Sequence, residues 1–251
     1  MQFNDALLAA LRGARHLVVF TGAGVSAESG IPTFRDALAG LWTQYEATQL
    51  ASPEGFADNP ALVWGWYEWR RMKVLRAQPN PAHAAIASLA GLTPRLTLIT
   101  QNVDDLHERA GSADVIHLHG SIHQPRCFTC SQPYAYPPGI PDEPEGGRYL
   151  EPPRCGRCGG RIRPGVVWFG ESLPAKAWNR AWQAAQDCDV LMSVGTSSLV
   201  WPAAELPEIA ARRGATVIQV NPGETALDGW AAWNLRGPAG EVLPGLLEAM
   251  R

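Results

Sequence analysis

His16-Leu17-Val18-Val19-Phe20-Thr21-Gly22-Ala23-Gly24-Val25-Ser26 opens as a short apolar stretch and breaks abruptly into small residues. Such a stretch suits a strand covered on both faces and is too short for an ordinary helix. Similar stretches recur at Leu96 to Ile99, Val115 to Leu118, Val166 to Phe169, Val190 to Val194 and Thr216 to Val220. Segments with helical spacing separate several of them, at Ala82 to Ala90, Ala175 to Gln186 and Pro202 to Arg213. Strand and helix in alternation predict an α/β fold with a doubly wound parallel sheet.

Small and polar residues succeed each strand: Thr21-Gly22-Ala23-Gly24, Thr100-Gln101-Asn102, His119-Gly120-Ser121, Gly170-Glu171, Gly195-Thr196-Ser197-Ser198 and Asn221-Pro222-Gly223. Open α/β sheets take ligands outside the carboxyl ends of their strands, where loops offer backbone donors. A site is therefore expected along that edge. Two regions break the alternation. Phe34 to Arg76 holds Trp42, Trp64, Trp66 and Trp69, and Gln124 to Pro164 is rich in Pro, Gly, Arg and Cys; together they predict a smaller lobe. Pro133 to Pro153 reads as a long loop or an irregular strand pair within it.

The chain has 251 residues, 46% of them hydrophobic, which is ample for a core. Its formal charge of -3 leaves no overall basic field for nucleic acid or an anionic membrane, and neither is expected as a partner. No apolar run reaches the ~20 residues of a spanning helix, and the opening stretch, with Asp5, Arg12 and Arg15 among its leucines, reads as mature protein. Of five cysteines, four form the pairs Cys127/Cys130 and Cys155/Cys158. Each pair leaves a two-residue gap, the spacing that brings two thiolates to one tetrahedral ion, and four protein ligands leave no open position. One structural zinc is expected, with four unrelated buried thiols as the alternative; the pattern fits a reducing compartment, and the cytoplasm is the expected location. Cys188 reads as a core residue.

The run Gly22 to Ser26 can cradle a pyrophosphate, with Ser26 capping a helix, but alone it equally describes a tight turn. Ala27 occupies the third glycine position of the dinucleotide fingerprint, which disfavours a hydride-transferring dehydrogenase. The loop, however, continues Glu28-Ser29-Gly30-Ile31-Pro32-Thr33-Phe34-Arg35. With it stand Thr100-Gln101-Asn102-Val103-Asp104-Asp105-Leu106-His107, Leu118-His119-Gly120-Ser121, the four cysteines, Val166 to Glu171, Gly195 to Ser198, Asn221 and Gly237 to Gly240. Jointly, and nearly end to end, the chain resembles a sirtuin. Val103, where Ile is common, and Pro222-Gly223 are mild departures from the family pattern.

The resemblance implies a Rossmann-like domain over residues 1–33, 96–121 and 166–251, a helical module over 34–95 carrying an acyl pocket, and a zinc ribbon over 122–165. It implies NAD-consuming removal of acyl groups from protein lysines: the acyl oxygen attacks the nicotinamide ribose, nicotinamide leaves, and a histidine takes a proton from a ribose hydroxyl. His119 matches that histidine, and a neutral imidazole suits the task; His117 and His123 lie outside the motif frame. Asn102 joins His119 as catalytic and, with Asp104, faces the nicotinamide end. Ala23, Phe34, Arg35 and Gln101 match the residues holding the diphosphate and nicotinamide ribose. Gly195, Thr196, Ser197, Asn221 and Ala239 match the adenosine side, and Gly22, Gly24, Ser26, Ile31, Pro32 and Val103 complete the cofactor set. Val166, Val167 and Phe169 lie where the family threads its peptide as an added strand.

Tyr67 and Arg70, three residues apart, share a helix face. A phenol and a guanidinium together suit a carboxylate, and the pair resembles the mark of the class III desuccinylase and deacetylase branch, with Ala51 as its small pocket floor. Succinyl, malonyl or glutaryl chains are then expected alongside acetyl. The bland alternative is a packed Tyr67 and a solvated Arg70. Rival functions are a general deacetylase, an ADP-ribosyltransferase and, from another class, a zinc-ribbon binding or nucleotide-sensing module, to which Arg154, Arg157, Arg161 and Arg163 lend support. Acyl-lysine proteins or peptides are the expected partners, and a monomer is the expected state.

Overall fold

The computed structural model describes residues 2–32 and 45–251, so Phe34, Arg35 and Trp42 lie outside the described residues. The first element, α1 (Asp5–Gly13), starts on Asn4, whose side chain accepts from the amides of Ala6 and Leu7. Strands β1 (His16–Thr21), β2 (Arg95–Thr100) and β3 (Ile116–His117) belong to the large domain. The short β4 (Arg126–Cys127) and β5 (Ile162–Arg163) form an antiparallel pair of their own. Strands β6 (Val190–Val194), β7 (Thr216–Asn221) and β8 (Trp233–Arg236) complete a six-stranded sheet of order β3-β2-β1-β6-β7-β8, parallel throughout. The order reverses between β1 and β6, which opens a crevice at their carboxyl ends.

Alternate residues of each strand serve opposite layers. Leu17 and Val19 of β1, with Met192 and Ile218, pack under α1, α6 (Pro81–Leu89) and α10 (Ala239–Met250). Val18 and Phe20, with Leu191 and Val217, pack under α8 (Ala175–Asp187) and α9 (Leu206–Arg212). The sheet is thus covered on both faces, as near-continuous apolar strands require.

Between β1 and β2 run α2 (Gly24–Ala27), α3 (Ala47–Leu50), α4 (Pro53–Asp58), α5 (Pro60–Arg76) and α6. Helix α5 begins with Asn59 accepting from the Leu62 amide and Pro60 in the first turn, a strong start signal. It is buried nearly all round, because most of its apolar residues pack with Leu50, Phe56 and Trp168 while Trp64 packs with Cys127 and Cys155 on the other side. The irregular segment after Tyr136 crosses its outer side: a Cβ on Gly65 would lie 1.9 Å from the Arg148 carbonyl oxygen, so only glycine admits the crossing. The short α7 (Leu106–Arg109) lies between β2 and β3.

Two sequence expectations differ from the structure. Val166 to Phe169 is not a sheet strand; only Val166 forms a bridge, to Gly120. Its amides are drawn elsewhere: Val167 donates to the His119 carbonyl, Trp168 to the Glu171 carboxylate and Phe169 to the Ala51 carbonyl. The segment therefore ties the large domain to the helical module. Conversely, β8 escapes the periodicity reading, since Trp233-Asn234-Leu235-Arg236 is a half-exposed edge strand of mixed polarity.

Candidate active site

The crevice between β1 and β6 is lined by glycines that face one another. A Cβ on Gly22 would lie 2.7 Å from Thr196 Cβ, one on Gly24 2.8 Å from Gly195 Cα, and one on Gly195 2.5 Å from the Val25 amide nitrogen. These glycines let two loops close on each other, and the Gly24 amide donates to the Gly195 carbonyl across the contact. Gln101 adds a side-chain bond to Thr196 Oγ1 at 2.9 Å. On the same loop Ser198 Oγ is buried without a hydrogen-bond partner, a polar atom left over for a ligand that enters the crevice. Ser197 is exposed beside it, Asn221 ends β7, and Ala239 opens α10, whose Gly240 amide is taken by Glu28. Ile31 is buried, Pro32 and Val103 half-buried.

Ser26 corrects its expected role. Helix α2 has Ala23 as its N-cap with no side-chain cap bond, and Ser26 lies inside the helix. Its hydroxyl is instead the hub of a buried polar cluster, donating to Asp104 Oδ2 at 3.1 Å and accepting from Asn102 Nδ2 at 3.0 Å, with His83 Nε2 at 3.4 Å. Burial raises the Asp104 carboxyl, although bonds from the Leu106 amide and Ser26 oppose the shift. Behind this cluster Thr21 Oγ1 donates to Thr100 Oγ1 and meets His107 Nε2 at 3.0 Å. The rings of His107 and His83 lie 4.9 Å apart. His83, His107, Thr21 and Thr100 were not read from the sequence as site residues; the one available signal was polar residues inside apolar stretches.

His119 leaves the short β3 toward the same crevice edge. Its Nδ1 lies 2.9 Å from the Gln101 carbonyl oxygen, which can only accept, so Nδ1 carries the proton and Nε2 the lone pair. Burial lowers the ring's proton affinity, with the Gln101 bond opposing, so that the ring is neutral and basic at Nε2 at neutral pH.

Beside it the Val166 to Phe169 segment is held rigidly. Arg163 bonds the Val166 carbonyl and both oxygens of Glu171, and stacks on the Trp168 ring at 3.5 Å. Trp168 Nε1 donates to Tyr67 Oη at 3.0 Å, which leaves the phenol proton to be given elsewhere. Arg70 lies 4.8 Å over the Trp66 ring and 5.9 Å from the Tyr67 ring. Burial lowers the guanidinium's proton affinity, opposed by Tyr67 and Asp104, and burial pushes Tyr67 up to about 12. Ala51 is buried and supplies the carbonyl that anchors Phe169. Tyr67 thus meets Trp168, Ala51 meets the adjoining Phe169, and Arg70 lies against Tyr67 and Trp66. The neighbouring Glu68 and Arg71, missed in the sequence, form a buried two-point pair turned toward Tyr136.

Cys127, Cys130, Cys155 and Cys158 converge with all four sulfurs within 4.8 Å of one another. Individual Sγ–Sγ separations of 3.4, 3.5 and 3.8 Å lie at or just below the ~3.8 Å edge of a tetrahedron built on ~2.3 Å zinc–sulfur bonds. The donor set fits zinc and is closed, with no position for a reacting molecule. Trp64 of α5 packs on Cys127, Cys155 and Ile162. Cys188 is a buried core residue.

Comparison with known proteins agrees along the whole chain. A family model described as the Sir2 family matches residues 22–202. The NAD-dependent protein deacylase of Methylococcus capsulatus is 72% identical over 251 residues, covering 100% of this chain and 98% of its own length. A crystal structure of a Sir2 homolog–NAD complex superposes with a TM-score of 0.89 at 48% identity, covering 100% of this chain and 94% of that one. A Sir2 complex with a p53 peptide and NAD+ superposes with a TM-score of 0.83 at 32% identity, covering 99% and 98%.

Proposed function

The chain belongs to the Sir2 family, and from that premise we propose that it is an NAD-dependent protein-lysine deacylase whose acyl pocket takes an acidic chain such as succinyl or malonyl as well as acetyl. NAD is the cosubstrate, supplying a ribose from which nicotinamide departs and to which the acyl group passes. The glycine-faced crevice with Ala23, Gln101, Thr196 and Ser197 takes the dinucleotide, and Asn102 and Asp104 border its nicotinamide end. Phe34 and Arg35 belong to the same set by their place in the motif. His119 receives a ribose hydroxyl proton at Nε2, the nitrogen its Gln101 bond leaves basic. The peptide backbone runs along Val166, Val167 and Phe169, between the Rossmann-like domain and the smaller lobe. Products are the free lysine, nicotinamide and O-acyl-ADP-ribose. The four cysteines hold a structural zinc, and the cytoplasm is the compartment that suits it.

The observation that carries the acyl preference is the Tyr67 and Arg70 pair, a buried phenol with a half-buried guanidinium 5.9 Å from its ring. Trp168 fixes the phenol oxygen, and Arg70 lies against the aromatic wall. A partly desolvated guanidinium binds a carboxylate by a charge-assisted fork far better than it binds a methyl group. Nicotinamide release from NAD, measured with acetyl, malonyl, succinyl and glutaryl lysine peptides, tests both parts. Release with acidic acyl peptides at kcat/KM at or above that for acetyl is expected. Release with acetyl alone leaves a general deacetylase, and ADP-ribose retained on protein would mark a transferase instead.

A further inference from the structure

The turn that carries Gln101, Asn102 and Asp104 is fastened to the chain beyond β3 by consecutive carbonyls. The Thr100 carbonyl accepts from the Leu118 amide at 2.9 Å, and the Val103 carbonyl from the Ile122 amide at 2.9 Å. Between them no backbone donor of the described residues is used. The Gln101 carbonyl faces His119 Nδ1 at 2.9 Å, and the Asn102 carbonyl faces His117 Nδ1 at 3.2 Å. Histidine side chains thus replace two ladder rungs where the regular pairing of β2 and β3 ends. The two rings differ on their other nitrogen. His117 Nε2 lies 2.6 Å from Glu108 Oε1, so both of its nitrogens face acceptors and both must carry protons.

We infer that His117, clamped between the Glu108 carboxylate and the Asn102 carbonyl, is a positioning residue that sets the Gln101 to Asp104 turn, and that loss of its proton loosens that turn. The inference rests on the proposed deacylase function, since that turn borders the dinucleotide. Burial works against the charged ring, but the Glu108 bond and charge, the Asn102 carbonyl and Asp104 outweigh it, so His117 titrates above its ordinary value. Other ionisable groups around it are Asp105 and His123, paired at 3.4 Å, His107 on α7, and Arg180 on α8, which is tied to Asp114. A cavity of about 480 Å³, lined by Asp105, Glu108, His117 and His123 among others, gives solvent access to the pair. Above the His117 pKa one ring nitrogen loses its hydrogen, and the Asn102 carbonyl or the Glu108 carboxylate then faces a lone pair.

Three variants and two readouts test this. With saturating acyl peptide, kcat/KM for NAD in the wild type should fall on an alkaline limb. Glu108→Gln should move that limb down by about one pH unit or more, the effect of removing an adjacent carboxylate. His117→Asn keeps a neutral donor at the Nδ1 position and should abolish the limb. His117→Leu should lower kcat/KM for NAD about tenfold at every pH, with the peptide KM preserved. Nuclear magnetic resonance titration of the His117 ring, assigned by its absence in His117→Asn, reads its protonation without any activity. A ring titrating at or below the ordinary ~6.5, a limb unmoved in Glu108→Gln, or Leu and Asn variants of equal activity would overturn the inference. If the wild type releases no nicotinamide, the functional reading fails while the ring titration still decides the protonation of His117.

Discussion

The Val167 amide donates to the His119 carbonyl at 2.8 Å, so the candidate base and the segment proposed to bind the peptide are joined through the backbone. The imidazole is fixed from the other side by the Gln101 carbonyl. A group held in this way is expected to act on one proton at one place. His119→Ala should reduce deacylated peptide by about 10²- to 10⁴-fold, the usual range for a removed general base, while its melting temperature stays close to the wild type. Because burial lowers the ring's pKa, the acid limb of kcat/KM should lie below the ordinary ~6.5. A limb above that value, or a variant with half the activity, would remove His119 from the role.

Arg70 offers the sharpest separation of acyl groups. Its guanidinium is placed against Trp66 and Tyr67, and truncation removes the charge while keeping an apolar stem. Arg70→Met should lower kcat/KM for a succinyl peptide by about 10²-fold, corresponding to a lost charged hydrogen bond of roughly 2–3 kcal/mol. Deacetylation should change by less than about fivefold, since an acetyl group offers no carboxylate to that charge. Equal losses with the two peptides would show that Arg70 serves packing only.

The doubly wound sheet was legible because β1, β6, β7 and the second half of β2 are buried, with apolar runs that end on small or polar residues. The cysteine cluster was legible for a similar reason: its spacing encodes its geometry. Val166 to Phe169 misled because Val166 and Trp168 are buried against α5 and not within the sheet, while Val167 is half-buried and Phe169 exposed. Ser26 misled because a serine after two glycines looks like a cap, whereas its environment is set by Asn102 and Asp104, far along the chain. His83 and His107 carried only the faint signal of polar residues inside apolar stretches, and nothing local paired them, since their contact is made by two elements separated by β2.

The cysteine module should matter to the acyl pocket through α5. Trp64 packs on Cys127, Cys155 and Ile162, while Tyr67 and Arg70, the residues proposed to bind the acyl chain, lie on the same helix. Purified protein should hold about one zinc per chain, the stoichiometry of a four-thiolate site. Removing it with a strong chelator should lower the melting temperature and abolish deacylation, because the ribbon loses its cross-link and α5 its support. Cys155→Ser should do likewise. Full activity in metal-free protein, measured alongside metal content, would rule out this support.

The buried pair His83 and His107 should make the fold sensitive to acid. Burial lowers His83 to about 4 and, with the nearby His83 and His117 charges, His107 to about 3. In the unfolded chain both rings take up protons near ~6.5; in the folded chain they stay neutral until far lower pH. The unfolded state therefore binds more protons in between, and stability, complete above about pH 7, falls as pH drops toward those folded values. Each ring costs about 2 kcal/mol by pH 5. His107→Gln retains a side-chain amide opposite Thr21 and has nothing to protonate, so it should recover about half of that loss. Urea unfolding midpoints at pH 7.5 and 5.0 provide the check. The difference between variant and wild type cancels the carboxylates and the metal thiolates, which titrate in both, and identical slopes would assign the acid sensitivity to those groups instead.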